Sequence, residues 1–182
     1  FILDNLIAAG KAKPMIIVMP FGHTPDRAGG NILANTDFGD DLIKDLIPYV
    51  EKNFRVIDKP GSRAMAGLSM GGAHTLRYGL THPELFRYLG VFSMGLGTGN
   101  NQNDIADYVK SNADALQKAS RDLKLFYYAM GKDDFLYGTV APTRAMLDQQ
   151  GIKYVYNESA GGHTWINWRR YLEDFAPRLF QD

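Results

Sequence analysis

The sequence predicts an α/β protein: a mostly parallel sheet covered by helices on both faces. Three observations carry this. Short apolar runs alternate with amphipathic stretches along the chain. The runs themselves, such as Met15–Met19 and Tyr88–Phe92, are of strand length, the first closed by Pro20 and the second ending in the loop from Met94. No internal repeat, low-complexity tract or linker interrupts the 182 residues, so 1–182 reads as a single domain.

Each element has its own local reason. Phe1 to Ala9 places Ile2, Leu3, Leu6 and Ile7 at helical spacing, with Gly10 as a stop. Met15–Met19 is expected as a buried strand closed by Pro20. A loop rich in Gly, Pro, Asn and Asp runs from Phe21 to about Asn35. Asp40 to Val50 puts Leu42, Ile43, Leu46 and Ile47 on one helix face, with Asp40 and Asp41 favouring its N-terminus. Pro48 is awkward in that helix and predicts a kink or a tightening of the last turns. Then follow a strand Arg63–Leu68, a helix Met70–Leu80 and a strand Tyr88–Phe92. A loop spans Met94–Asn100, and the polar tract Asn100–Asn103 also reads as loop. A helix Asp104–Lys118, a strand Leu123–Met130, a helix Val140–Gln150 and a strand Lys153–Tyr156 come next. A final helix Trp165–Phe180 is broken near Pro177. The chain opens at Phe1 inside an apolar helical pattern, which predicts residues ahead of it.

Composition excludes several functions. Twenty basic and twenty acidic residues balance, against the basic excess of a general nucleic-acid binder. No apolar run is long enough for a membrane-spanning helix. Absent cysteine removes disulfide scaffolds, thiolate metal sites and cysteine nucleophiles. The four histidines are scattered without an H-E-x-x-H pattern, so neither a catalytic metal nor a cofactor is expected. Asp37-Phe38-Gly39 lacks the phosphate loop and catalytic loop that would make it a kinase triplet. Gly95-Leu96-Gly97-Thr98-Gly99 puts Asn100 where a dinucleotide loop needs its third glycine, and no helix opens there.

One motif carries chemistry. Gly67-Leu68-Ser69-Met70-Gly71 fits G-x-S-x-G, preceded by an apolar strand and followed by a helix. A nucleophilic serine must project from a sharp strand-to-helix turn, where side chains two residues to either side would clash; Gly67 and Gly71 suit those places. The helix start aims backbone N–H groups at a developing oxyanion, with Met70 as first donor. Serine needs a base. His74 lies inside the next helix, His82 in a turn before Pro83, and His23 in the long loop. His163 follows the last strand, where the order nucleophile, acid, histidine places the base. The acid is expected after the intervening strand, in Gly131-Lys132-Asp133-Asp134, where spacing leaves both carboxylates open. Trp165 and Phe21 are candidates to stack on an aromatic acyl group or a sugar; Trp168 is expected in the core.

Gly67 to His74, the Gly131–Asp134 turn and Gly161-Gly162-His163-Thr164-Trp165 together resemble feruloyl esterases. These belong to the esterase D-like branch of the α/β-hydrolases and act on plant cell-wall polysaccharides. The resemblance runs from the first helix and Ile16–Pro20 to the C-terminus. It implies a three-layer sandwich with Ser69 as nucleophile and His163 as base, and its G-x-x-D spacing selects Asp134. It implies hydrolysis of ferulate, or next of acetate, esters on xylan, and a secreted or periplasmic protein. Acyl transfer to another acceptor and S-formylglutathione hydrolysis are same-fold alternatives. A non-catalytic carbohydrate-binding or scaffolding domain is the rival of another class. In the family, further strands and a loop giving a second oxyanion donor precede the helix that opens this chain. One of those strands sits between the counterparts of Met15–Met19 and Arg63–Leu68. A gap is expected there, to be filled by an upstream segment or a second chain.

Overall fold

The computed structural model describes residues 1–23, 36–97 and 103–181. Four parallel strands form one sheet in the order β1 (Ala64–Leu68), β2 (Tyr88–Phe92), β3 (Leu125–Gly131) and β4 (Val155–Ser159). Register pairs Ala64 with Tyr88, Tyr88 with Leu125 and Tyr127 with Val155. Alternation along β3 explains the layers. Phe126, Tyr128 and Met130 face one core, and Tyr127 and Ala129 the other.

On the first face pack α2 (Asp37–Asp40) and α3 (Ile47–Asn53), α4 (Met70–His74), α5 (Asn103–Ser111), α6 (Ala113–Asp122) and α7 (Val140–Gln149). On the second lies α8 (Trp165–Phe175), whose Tyr171 and Phe175 bury their rings against Phe92 and Tyr127. There Gly90 is required, because a Cβ would sit 2.9 Å from the Phe175 ring. α1 (Ile2–Ala8) packs through Leu6 on Ala176, just beyond α8. Truncating a buried ring such as Phe175 to Ala would remove about 3–5 kcal/mol.

Several expectations are corrected. Met15–Met19 is not a strand. Among the described residues no backbone hydrogen bond joins it to a neighbour, and Ile16 and Met19 are 52% and 88% exposed. Instead, an apolar groove of about 480 Å³ separates Val18–Pro20 from β1. Only Met15 reaches the α8-side core. The helix expected from Asp40 starts at Asp37, because Phe38 is drawn into the core, where it stacks on His74 at 4.0 Å. Pro48 widens rather than tightens that helix. A π-helical stretch (Asp41–Leu46) precedes α3, and Ile47 N–H donates to Leu42 O, five residues back. A wider turn spares Pro48 the clash of its ring with the carbonyl four residues earlier. A second π-helical stretch (Thr75–Gly79) continues α4, where the Thr75 hydroxyl donates to Gly71 O at 2.9 Å.

The single helix expected over Asp104–Lys118 is two, broken at Asn112, whose side chain donates to Tyr108 O at 2.8 Å. β4 lies further along than Lys153–Tyr156, because its polar residues find partners. Asn157 donates to the Tyr127 hydroxyl (2.7 Å), and the Ser159 and Tyr171 hydroxyls are 2.6 Å apart. α8 ends at Phe175, and a 3₁₀ turn (Ala176–Arg178) accommodates Pro177. Most of the loop expected from Phe21 to about Asn35 lies outside the described residues. So do Thr98–Asn100 and most of the Asn100–Asn103 tract.

Candidate active site

Four chain reversals meet at the C-terminal ends of the strands, the usual place for ligands on a parallel sheet. Ser69 leaves β1 with φ 51° and ψ −118°, a backbone that non-glycine residues avoid. It is held there on both sides. Its N–H donates to Phe92 O (2.9 Å), and its carbonyl accepts from Ala73 N–H (3.0 Å) as α4 begins. A Cβ on Gly67 would overlap the backbone carbonyl of Gly71, and one on Gly72 would lie 2.8 Å from Met94 Cβ. Gly71 itself faces open space, so the steric demand expected at Gly67 and Gly71 falls on Gly67 and Gly72. Met70 is the first residue of α4, where N–H groups have no helical acceptor.

The two carboxylates of the acid turn separate. Asp134 has a fully buried side chain, and its Oδ2 and Oδ1 lie 2.9 and 3.1 Å from His163 Nδ1. Its Oδ1 also accepts the Leu136 N–H (2.9 Å). Asp133 is turned to the adjoining loop, accepting the Gly161 N–H at 3.1 Å. With both Asp134 oxygens on Nδ1, the neutral imidazole carries its proton there and leaves Nε2 free to accept one.

The histidine loop is fixed by its neighbours, among which Gly131, Gly161 and Trp168 were singled out in the sequence, and Asn167 and Phe135 were not. Asn167, buried in α8, donates to Ala160 O (3.1 Å) and Gly162 O (2.9 Å). Gly131 lacks a Cβ where Gly161 O passes, and Gly161 has φ 80°. Phe135, 75% exposed, tilts against the His163 ring at 4.6 Å. Trp168, expected in the core, is partly buried against the α8-side core and also meets the imidazole edge-on at 5.0 Å, and its indole N–H donates to Ser93 Oγ at 2.9 Å. A serine just after a strand, immediately before the Met94 loop, was the only trace of that bond in the sequence.

Trp165 is 63% exposed and packs T-shaped on Trp168 at 5.1 Å, which puts an open indole beside the histidine. Phe21 is exposed, its ring 5.5 Å from that of His23, in the segment where Gly22 passes the Met70 side chain. His74 is buried against Phe38, and burial pushes its imidazole below the ordinary histidine range. His82 Nδ1 lies 2.9 Å from Tyr78 O. No cluster of side chains able to hold a metal ion occurs among the described residues.

A parallel sheet between two helical layers, with a strained serine after one strand and a histidine–carboxylate pair after the others, defines an α/β-hydrolase. The chain belongs to the esterase family, whose model, described as Putative esterase, matches residues 2–179. It is 37% identical over 183 residues to an endo-1,4-beta-xylanase/feruloyl esterase of Xylanibacter ruminicola, covering 99% of this chain and 23% of that protein. It is 24% identical over 168 residues to an acetyl esterase of Caldicellulosiruptor saccharolyticus, covering 74% of this chain and 60% of that one. A solved ferulic acid esterase superposes with a TM-score of 0.76 at 27% identity, covering 97% of this chain and 74% of that chain. The chain thus spans less than two thirds of the length of both curated relatives.

Proposed function

We propose that this protein is a serine carboxylic-ester hydrolase that releases ferulate from plant cell-wall xylan through an acyl-enzyme. The observation that carries it is the His163 imidazole seated on the buried Asp134 carboxylate, at the same sheet end as the strained Ser69. Ser69 Oγ attacks the ester carbonyl while His163 Nε2 takes its proton. Met70 N–H donates to the oxyanion. Asp134 holds the ring and balances the imidazolium. The proton then passes from His163 to the departing sugar hydroxyl as the ester bond breaks. Water, deprotonated by the same Nε2, attacks the acyl-serine and frees both the acid and Ser69.

The ferulate assignment is supported by the names of the xylanase/feruloyl esterase and the ferulic acid esterase. The open Trp165 suits an aromatic acyl group or a sugar. Acetylated xylan is the second reading, favoured by the name of the acetyl esterase relative. A polymeric cell-wall substrate implies a secreted or periplasmic protein. The reading also takes 1–182 as one catalytic domain whose β1 edge is completed by a strand from upstream or from a second chain.

Hydrolysis of methyl ferulate beside an acetyl ester tests the substrate. Ser69→Ala tests the mechanism. It should lower kcat by about 10⁴ or more, since the groups act as a unit. A purified Ser69→Ala protein that keeps a tenth of the activity rules the mechanism out.

A further inference from the structure

The nucleophile and the base start from opposite outer strands. Ser69 follows β1 and His163 follows β4. Three strand spacings amount to about 14 Å, so the histidine loop must lean back across the ends of β3 and β2 to serve Ser69. Asp134, at the end of β3, restrains the ring only at Nδ1. A ring held at one nitrogen still pivots about that bond, and Nε2 swings most.

A second restraint comes from β2. Trp168 lies one turn into α8, its N–H on Thr164 O. Its indole stands at 89° to the imidazole, and its Nε1–H reaches Ser93 Oγ. Ser93 is fully buried at the end of β2 in a left-handed backbone (φ 51°), with its N–H on Ala129 O. The residue before it, Phe92, accepts the Ser69 N–H. A continuous path of held groups therefore runs from the elbow through Phe92 and Ser93 to Trp168 and the imidazole. A serine in a backbone that side chains avoid persists where its surroundings fix it, and here it presents one hydroxyl to one indole.

Resting on the proposed function, we propose that Ser93 and Trp168 are positioning residues: their hydrogen bond sets the angle of the His163 ring and hence the reach of Nε2 to Ser69. The pair acts through the His163 ring. Its contribution is to orientation, where a displacement of about 1 Å can cost about 10²-fold in rate.

The test compares Ser93→Ala, Trp168→Phe and the double variant. Active sites are counted by exhaustive labelling with a fluorophosphonate, so that unfolded protein drops out of kcat. Each single variant should lower kcat per labelled site by about 10- to 100-fold, leave KM within about threefold, and slow labelling in step with kcat. The double variant should be no slower than the slower single one, because both changes remove the same bond. Ser93→Ala deletes one oxygen and keeps the indole, so it carries the test where Trp168→Phe folds poorly. Wild-type kcat per labelled site in Ser93→Ala, or losses that multiply in the double variant, overturns the positioning role. Activity surviving in Ser69→Ala would instead overturn the reaction on which the proposal rests.

Discussion

Two adjacent carboxylates, Asp133 and Asp134, point to different tasks because the turn after β3 gives them opposite sides. Asp134 is buried on His163, whereas Asp133 fastens the exposed Gly161 N–H. Asp134→Asn should therefore lower kcat by about 10⁴, through loss of the tautomer that a carboxylate enforces. Asp133→Asn should cost less than about tenfold, as a surface change that keeps a polar side chain. Steady-state kinetics on one ester decide it, and the reverse ranking would hand the role to Asp133. Chain spacing left this choice open, since neighbouring residues in a turn carry no mark of which way each points. Ser69 and His163 were legible because the turn needs glycine and the order of groups is fixed. Ser93, Asn167 and Trp168 were not legible. The Ser93–Trp168 bond joins residues 75 positions apart, and no local pattern encodes it.

The elbow between β1 and α4 shows how unevenly a motif distributes its constraints. Gly67 faces the Gly71 carbonyl at a distance no Cβ tolerates, while a Cβ on Gly71 meets nothing within 4 Å. Gly67→Ala should destabilise the protein by about 1–3 kcal/mol, as overpacking does, or about 2–4 °C of Tm for each kcal/mol. Gly71→Ala should leave Tm unchanged or raise it, since alanine is favoured over glycine in a helix by about 0.5–1 kcal/mol. Thermal melts of the two variants test the contrast; equal losses would refute it. The strands β1 to β3 and the helices α7 and α8 were readable from apolar runs and their stops. What escaped were features set by contacts. Phe38 pulls the helix start forward, Pro48 opens a π-helical stretch, and Asn112 splits a helix by bonding to Tyr108. The polar half of β4 escaped for the same reason, because Tyr127 and Tyr171 supply its partners.

The groove between Val18–Pro20 and β1 ties the sheet as a whole to its stability. Among the described residues, β1 pairs with β2 on one edge only, and the apolar Met15–Met19 run lies across the groove without a ladder. The sequence announced an apolar run of strand length, but a strand exists only through its partner, and periodicity does not report partners. A strand supplied ahead of Phe1 or in trans should pair with β1 and raise both Tm and esterase activity. A bare 182-residue monomer that melts cooperatively above about 60 °C with full activity would show that this edge needs no strand. The separation of Ser69 and His163 has a consequence in time as well. During synthesis or refolding, the elbow can form with β1 and β2, but the base arrives only when the last helix docks on the finished sheet. Contacts so distant in sequence close late and slowly. Under the proposed reaction, hydrolytic activity should thus act as a clock for the final docking of α8, appearing only once that helix is seated on the sheet.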